Sequence, residues 1–126
     1  MMLRSYSPQD YEEVSGWWRA RDQKPVPRWA LPPTGLIAPG LAAAFLYNTD
    51  SALAWLGWST TNPSADKTER RKALDEIIEA LVLQAAERGY KVVFTTTDHP
   101  RLAEAYRAAG FGEGDVGVTQ YMKGLD

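Results

Sequence analysis

Apolar positions along the chain change period twice, and each change marks a shift in element type. Residues 3–6 read as a short strand. Ser7 then suits a helix N-cap with Pro8 in the first turn. Tyr11, Val14, Trp17 and Trp18 follow at helical spacing, which predicts an amphipathic helix over residues 8–20. One ring of the Trp17–Trp18 pair is expected in the core and the other beneath a loop, with a substrate contact as the alternative. Pro25, Pro27, Pro32 and Pro33 make residues 22–34 an irregular, stiff loop, because proline neither continues a helix nor donates within a sheet. Loops on a rigid scaffold often carry specificity, so Arg28 and Trp29 become candidate substrate contacts.

Strand signals come next. Residues 35–37 and 41–47 are separated by Pro39-Gly40, and residues 52–61 follow the turn cluster Asn48-Thr49-Asp50-Ser51. Together they predict an antiparallel meander of three strands. Trp55 and Trp58 are three apart and face opposite sides of a regular strand; a bulge would alter that, and Gly57 is its cheapest position. After Asn62-Pro63 the period becomes helical. Leu74, Ile77, Ile78, Leu81, Val82 and Ala85 form one stripe of a long helix over residues 67–88. Arg71 with Asp75 and Lys72 with Glu76 are spaced to pair along it, and Gly89 stands at its C′ position. Residues 91–96, KVVFTT, suit a buried central strand. Asp98 or His99 then caps another helix, with Pro100 in its first turn, Leu102, Ala105, Tyr106 and Ala109 inward, and Gly110-Phe111 as its close. Residues 116–122 alternate as a last strand. The order β-α-loop-β-β-β-α-β-α-β predicts an α/β fold with a mixed sheet and helices on both faces.

Composition narrows the function. A chain of 126 residues suits one domain over 1–126, and 44% hydrophobic with 24% charged residues is an ordinary globular balance. Sixteen acidic against fourteen basic residues give a net charge of −2, which disfavours a nucleic-acid binder. Without cysteine there is no disulfide, thiolate nucleophile or cysteine metal site, and a single histidine, His99, excludes a multi-histidine centre. No stretch has the length and apolarity to cross a bilayer, and MMLRSYSPQD lacks the apolar core of a secretory leader, so a cytosolic location is expected.

Two segments carry a family likeness. One is the strand ending in Asn62-Pro63 and the long helix that closes at Gly89-Tyr90; the other runs from Asp98-His99-Pro100 to Tyr106-Arg107-Ala108-Ala109-Gly110-Phe111. In this order of elements the chain resembles the Gcn5-related N-acetyltransferases over nearly its whole length. The resemblance implies transfer of an acetyl group from acetyl-CoA, as co-substrate, to a primary amine of unidentified acceptor. It implies a cofactor held between the fourth and fifth strands, with its pantetheine amides on the backbone at Ser59 and Thr61. Tyr106 matches the family tyrosine that protonates the leaving thiolate, a role a phenol within hydrogen-bond reach can fill. Packing on the sheet within the Leu102–Ala105–Ala109 stripe is the other role open to it.

One segment departs from the family pattern. Its phosphate loop reads Gln or Arg, two residues, Gly, one residue, then Gly or Ala, so that backbone N–H groups wrap the pyrophosphate. The matching stretch here is Asp66-Lys67-Thr68-Glu69-Arg70-Arg71, which keeps none of the defining residues. Asp66 and Glu69 fit a capping box that uses the same amides. Lys67, Arg70 and Arg71 either bind phosphates by side chain or form a solvated helix face. Asp98 and His99 lie near a family asparagine that touches the cofactor, and helix capping comes first for both. No carboxylate stands out as a general base. A scaffold that binds partners without acetyl transfer is therefore a second reading, and a different acyl-CoA or phosphorylated ligand a third. A monomer or a homodimer is expected.

Overall fold

The computed structural model describes residues 2–125. Five strands form one sheet in the order β1 (Arg4–Ser5), β2 (Gly35–Ala38), β3 (Ala42–Tyr47), β4 (Leu53–Thr61) and β5 (Val92–Phe94). The first four pair antiparallel and β5 joins β4 in parallel. Among the described residues three α-helices, α1 (Tyr11–Ala20), α2 (Lys67–Glu87) and α3 (Pro100–Ala108), and two short 3-10 turns at Pro8–Asp10 and Arg28–Ala30 complete the fold. Among the described residues no helix is long and apolar enough to cross a membrane.

The two-residue period of the strands sorts their side chains onto two cores. Ile37, Ala43 and Phe45 point to one face, where Val14, Trp17, Trp18 and Val26 bury against them. Leu36, Ala38, Ala42, Ala44, Leu46, Ala54 and Leu56 point to the other and meet Leu74, Ile77, Ile78 and Leu81 of α2. The alanines keep the sheet surface low, so α2 seats its branched side chains deeply; each such side chain contributes about 1.5–3 kcal/mol by burial. Tyr106 of α3 joins this second core. Both tryptophans of α1 are core, and the proline-rich loop covers them by inserting Val26, whose carbonyl accepts from the Tyr11 hydroxyl at 2.8 Å.

Both α2 and α3 end as the glycines predict. Gly89 and Gly110 have φ of 88° and 96°, and the residues after them, Tyr90 and Phe111, donate to the carbonyls of Ala85 and Tyr106. Those bonds satisfy end carbonyls that the helix itself cannot.

The bulge falls one residue beyond Gly57. Phe45 lies opposite Gly57 but Ala43 opposite Thr60, so β4 carries one residue more than β3. Trp58 absorbs the excess at φ 56°. This turns Trp58 to the same face as Trp55, ring to ring at 5.6 Å, and its indole N–H donates to the Tyr47 hydroxyl at 2.6 Å. Gly57 has its own reason to lack a side chain, since a Cβ there would come within 3.0 Å of the Trp55 ring.

Three expectations fail. The run 91–96 is not a buried central strand: only Val92–Phe94 pair, at the edge of the sheet, with Val92 52% and Phe94 50% exposed. Residues 116–122 make no ladder, and Val116 and Val118 are exposed, so the described order ends with α3 and an irregular tail. An alternating pattern confers strand propensity, but a strand needs an edge to pair with, and this segment runs clear of its own. The pairs Arg71–Asp75 and Lys72–Glu76 are not made; among the described residues the ion pairs are Arg4–Asp10, Arg28–Glu12 and Arg107–Glu113. Exposed partners at helical spacing gain too little from pairing to hold two long side chains still.

Candidate active site

The site begins with a mismatch of strand lengths. β5 pairs with β4 only at Leu53, Ala54 and Trp55. The Thr95 hydroxyl then donates to the Leu56 carbonyl at 2.7 Å, and past that point the two segments part. From Gly57 onward no described strand lies along this edge of β4. A cleft of about 650 Å³ opens there. Ser59, Thr60 and Thr61 form its floor, the first turns of α2 one wall, and residues 97–99 with α3 the other.

Every cofactor-binding residue expected from the sequence lines this one cleft: Ser59, Thr61, Lys67, Arg70 and Arg71. Tyr106 does not line it. Its ring is buried, tilted on Phe111 at 5.4 Å, and its hydroxyl lies 3.0 Å from the Ser59 hydroxyl. Ser59 thus connects the phenol to the cleft. The bulge matters here, because the extra residue at Trp58 sets which way Ser59 points.

Two of the five are engaged elsewhere. The Arg70 guanidinium donates to the carbonyls of Pro63 and Ala65 at 3.0 and 2.9 Å, tying down the loop ahead of α2. The Thr61 carbonyl, expected to be free for a pantetheine amide, accepts from Arg21, which also donates to the Thr61 hydroxyl at 2.6 Å. Arg21 sits just past the end of α1 and links it to the end of β4. Burial, and then the neighbouring charge of Arg70, push its guanidinium below its ordinary value. It stays charged all the same, since arginine holds its proton throughout the working range. Sequence reasoning missed this residue. Its only local signal is a cation at a helix C-terminus, which favours the helix dipole and says nothing of a strand forty positions later.

At the start of α2, Asp66 accepts from the Glu69 amide at 3.0 Å, so half of the expected capping box forms and one helix-end amide is spent. His99 is the residue before α3, but neither it nor Asp98 caps the helix by side chain; the Thr97 hydroxyl accepts from the His99 amide instead, at 3.0 Å. Both line the cleft. Arg28 and Trp29 do not. Arg28 lies over the Tyr11 ring at 4.4 Å and bonds Glu12, and Trp29 is exposed.

The charge of the cleft opposes that of the chain. Arg21, Lys67, Arg70, Arg71 and Arg101 line it against the carboxylates Asp75, Asp98 and Glu104, although the whole chain carries −2. Burial first, and Glu79 second, raise the Asp75 carboxyl above its ordinary value. Such a cleft attracts anions.

The mixed five-stranded sheet with helices on both faces matches the Gcn5-related N-acetyltransferase fold of solved acetyltransferases. Solved structures match it end to end. A Thermus thermophilus protein superposes with a TM-score of 0.73 at 17% identity, covering 100% of both chains. A Trypanosoma brucei acetyltransferase gives 0.69 at 10% identity, over 96% of this chain and 99% of that one. The aminoglycoside N-acetyltransferase AAC(6')-Iy, solved in complex with CoA, gives 0.65 at 18% identity, over 98% and 100%. No protein-family profile matches the chain. No curated protein sequence matches it either.

Proposed function

We propose that the chain is a cytosolic N-acetyltransferase that transfers an acetyl group from acetyl-CoA to a primary amine. The observation that carries this is the unpaired stretch of β4 opening onto a cationic cleft, with Ser59 in its floor and the Tyr106 hydroxyl behind Ser59. An open strand edge offers N–H and C=O groups at the spacing of pantetheine amides, as in strand addition. Ser59 is the position left for that contact, since Arg21 holds Thr61. Lys67, Arg71 and Arg101 supply by side chain the phosphate contacts that the missing glycines would give by backbone. That one solved neighbour of this fold carries CoA supports the same reading.

Acetyl-CoA supplies the activated acyl group. The protein's share is to orient a neutral amine against it and to hold a proton where the sulfur departs. The Ser59 hydroxyl faces the cleft and the Tyr106 hydroxyl backs it, so a proton given up by Ser59 can be replaced from Tyr106.

Arg21 favours a second reading, a partner-binding scaffold without acetyl transfer, because it fills a backbone acceptor that the coenzyme would use. Thermal melting separates the two. Acetyl-CoA at about 100 times its dissociation constant should add roughly 2.7 kcal/mol of stability. A melt that does not move at millimolar acetyl-CoA, with no heat in calorimetry, overturns the enzyme.

A further inference from the structure

The cleft has a third side, at the end of α1, and its chemistry is unlike that of the two helix walls. α1 closes in a tight turn: the amides of Arg21 and Gln23 donate to the Trp18 carbonyl at 3.1 and 3.0 Å, and Asp22 between them takes φ 60°. An aspartate in that conformation stands where helices usually place glycine, at a steric cost that the contacts around it must hold. The turn brings Arg21 and Gln23 to the cleft, and Asp22 is exposed outside the lining.

Arg21 uses only one edge of its guanidinium on β4. Nη1 and Nη2 donate to the Thr61 carbonyl and hydroxyl, and Nη1 also lies 3.4 Å from the Thr60 hydroxyl. A guanidinium has five N–H donors. The Nε–H and the second Nη2 hydrogen, side by side along the other edge, meet no acceptor among the described residues. Such a pair is the fork that a carboxylate fits with two parallel bonds. No carboxylate of the chain takes it. Among the described residues the ion pairs include neither Arg21 nor Arg70, and the acids of the cleft, Asp75, Asp98 and Glu104, belong to its other two sides. Arg70 is close enough for its charge to act on Arg21. Two arginines are thus pinned to backbone carbonyls of one segment, residues 61–65, without a counter-charge, and an anion supplied from outside would complete them.

The coenzyme, as read above, occupies Ser59, Lys67, Arg71 and Arg101, which leaves the end of α1 as the side for the second substrate. Arg21 is anchored at Thr61, and alternate residues of a strand lie about 7 Å apart, so a small molecule spans from Arg21 to a group held at Ser59. We infer that the acceptor is an amino acid, its carboxylate gripped by Arg21 and its neutral amine turned toward Ser59. This rests on the acetyltransferase reading and narrows its substrate. The amine forms an amide bond as the carbon–sulfur bond breaks; its proton leaves to water, the sulfur gains one by way of Ser59, and the products are an N-acetylamino acid and CoA. Amines that carry further positive charge are repelled by the same arginines.

The test is thiol release from acetyl-CoA against the twenty amino acids, the carboxamide of each, and a set of diamines. The best amino acid should exceed its own carboxamide by roughly 10- to 100-fold in kcat/KM, mostly through KM, as befits a charge-assisted grip made before and during reaction. In Arg21→Met that ratio should fall toward one, and Arg21→Lys, which keeps the charge without the fork, should lie between. A ratio does not depend on how much of a variant is folded, so loosening of the α1–β4 link does not mimic the result. With CoA present, the amino acid should also raise the melting temperature of the native chain where its carboxamide does not. Carboxamides or diamines acetylated as well as the acids overturn the inference, as does a panel in which no amino acid reacts. So does an Arg21→Met chain that keeps the ratio while binding acetyl-CoA more weakly, which would give Arg21 to the coenzyme. In each of those cases acetyl-CoA still shifts the melt; a melt that acetyl-CoA leaves unmoved instead overturns the acetyltransferase reading, and the inference with it.

Discussion

Replacing Tyr106 by phenylalanine keeps the ring that packs on Phe111 at 5.4 Å and removes only the hydroxyl that meets Ser59 at 3.0 Å. The structural cost is one neutral hydrogen bond, about 1 kcal/mol, without an orphaned partner, because Ser59 lines the cleft where water can replace the phenol. That corresponds to about 4 °C in melting temperature for a chain of this size. If the pair delivers the proton to the leaving sulfur, turnover should fall by about 100-fold or more, in kcat and kcat/KM alike, with coenzyme affinity near wild type. Ser59→Ala removes the cleft-facing member and should cost as much. The double variant should cost no more than either, since two groups acting in series fail together. The assay is thiol release from acetyl-CoA against a panel of primary amines, with melting curves run alongside. Tyr106→Phe at full rate refutes the proton role and leaves Tyr106 as core, in which case Tyr106→Ala should still cost about 3–5 kcal/mol in stability. Loss of turnover in Tyr106→Phe with Ser59→Ala intact refutes the relay and sends the phenol directly to the sulfur.

The cationic wall and the acid limb are tested separately. Arg71→Ala should weaken CoA more than pantetheine, and the difference should shrink as salt is raised, whereas Arg70→Ala should weaken both alike because Arg70 holds the Pro63–Ala65 loop; equal effects of Arg71→Ala on both ligands would make it a solvated side chain. Asp10 is held below the usual carboxylate range chiefly by the Arg4 guanidinium, against the opposing effect of burial and with help from the Ser7 amide. A depressed carboxylate contributes stability that is present above its unfolded value and is lost as pH falls through its folded one. Denaturant melts should therefore show stability falling below about pH 4, and Asp10→Asn should flatten that slope; an unchanged slope refutes the assignment.

Sequence alone determined the elements whose signals are local. The stripe from Leu74 to Ala85, the Pro39-Gly40 break between β2 and β3, and the glycines after α2 and α3 predict elements that the structure contains within a residue or two of the expected ends. Each depends on neighbours in the chain: an apolar period, a fixed φ, an amide to be satisfied. The residues expected near one another, Ser59, Thr61, Lys67, Arg70 and Arg71, do line one cleft. Tertiary structure decided what those residues are free to do. An apolar run such as KVVFTT states that a strand forms but not how many neighbours it has, so β5 came out at an edge rather than in the centre. The bulge sits at Trp58 rather than Gly57 because register is set across the ladder with β3, and that one-residue offset aims Ser59 at a tyrosine 47 positions away. Arg21 reaches Thr61 across 40 positions. Those contacts come from closing long loops onto a finished sheet, and local pattern holds no record of them.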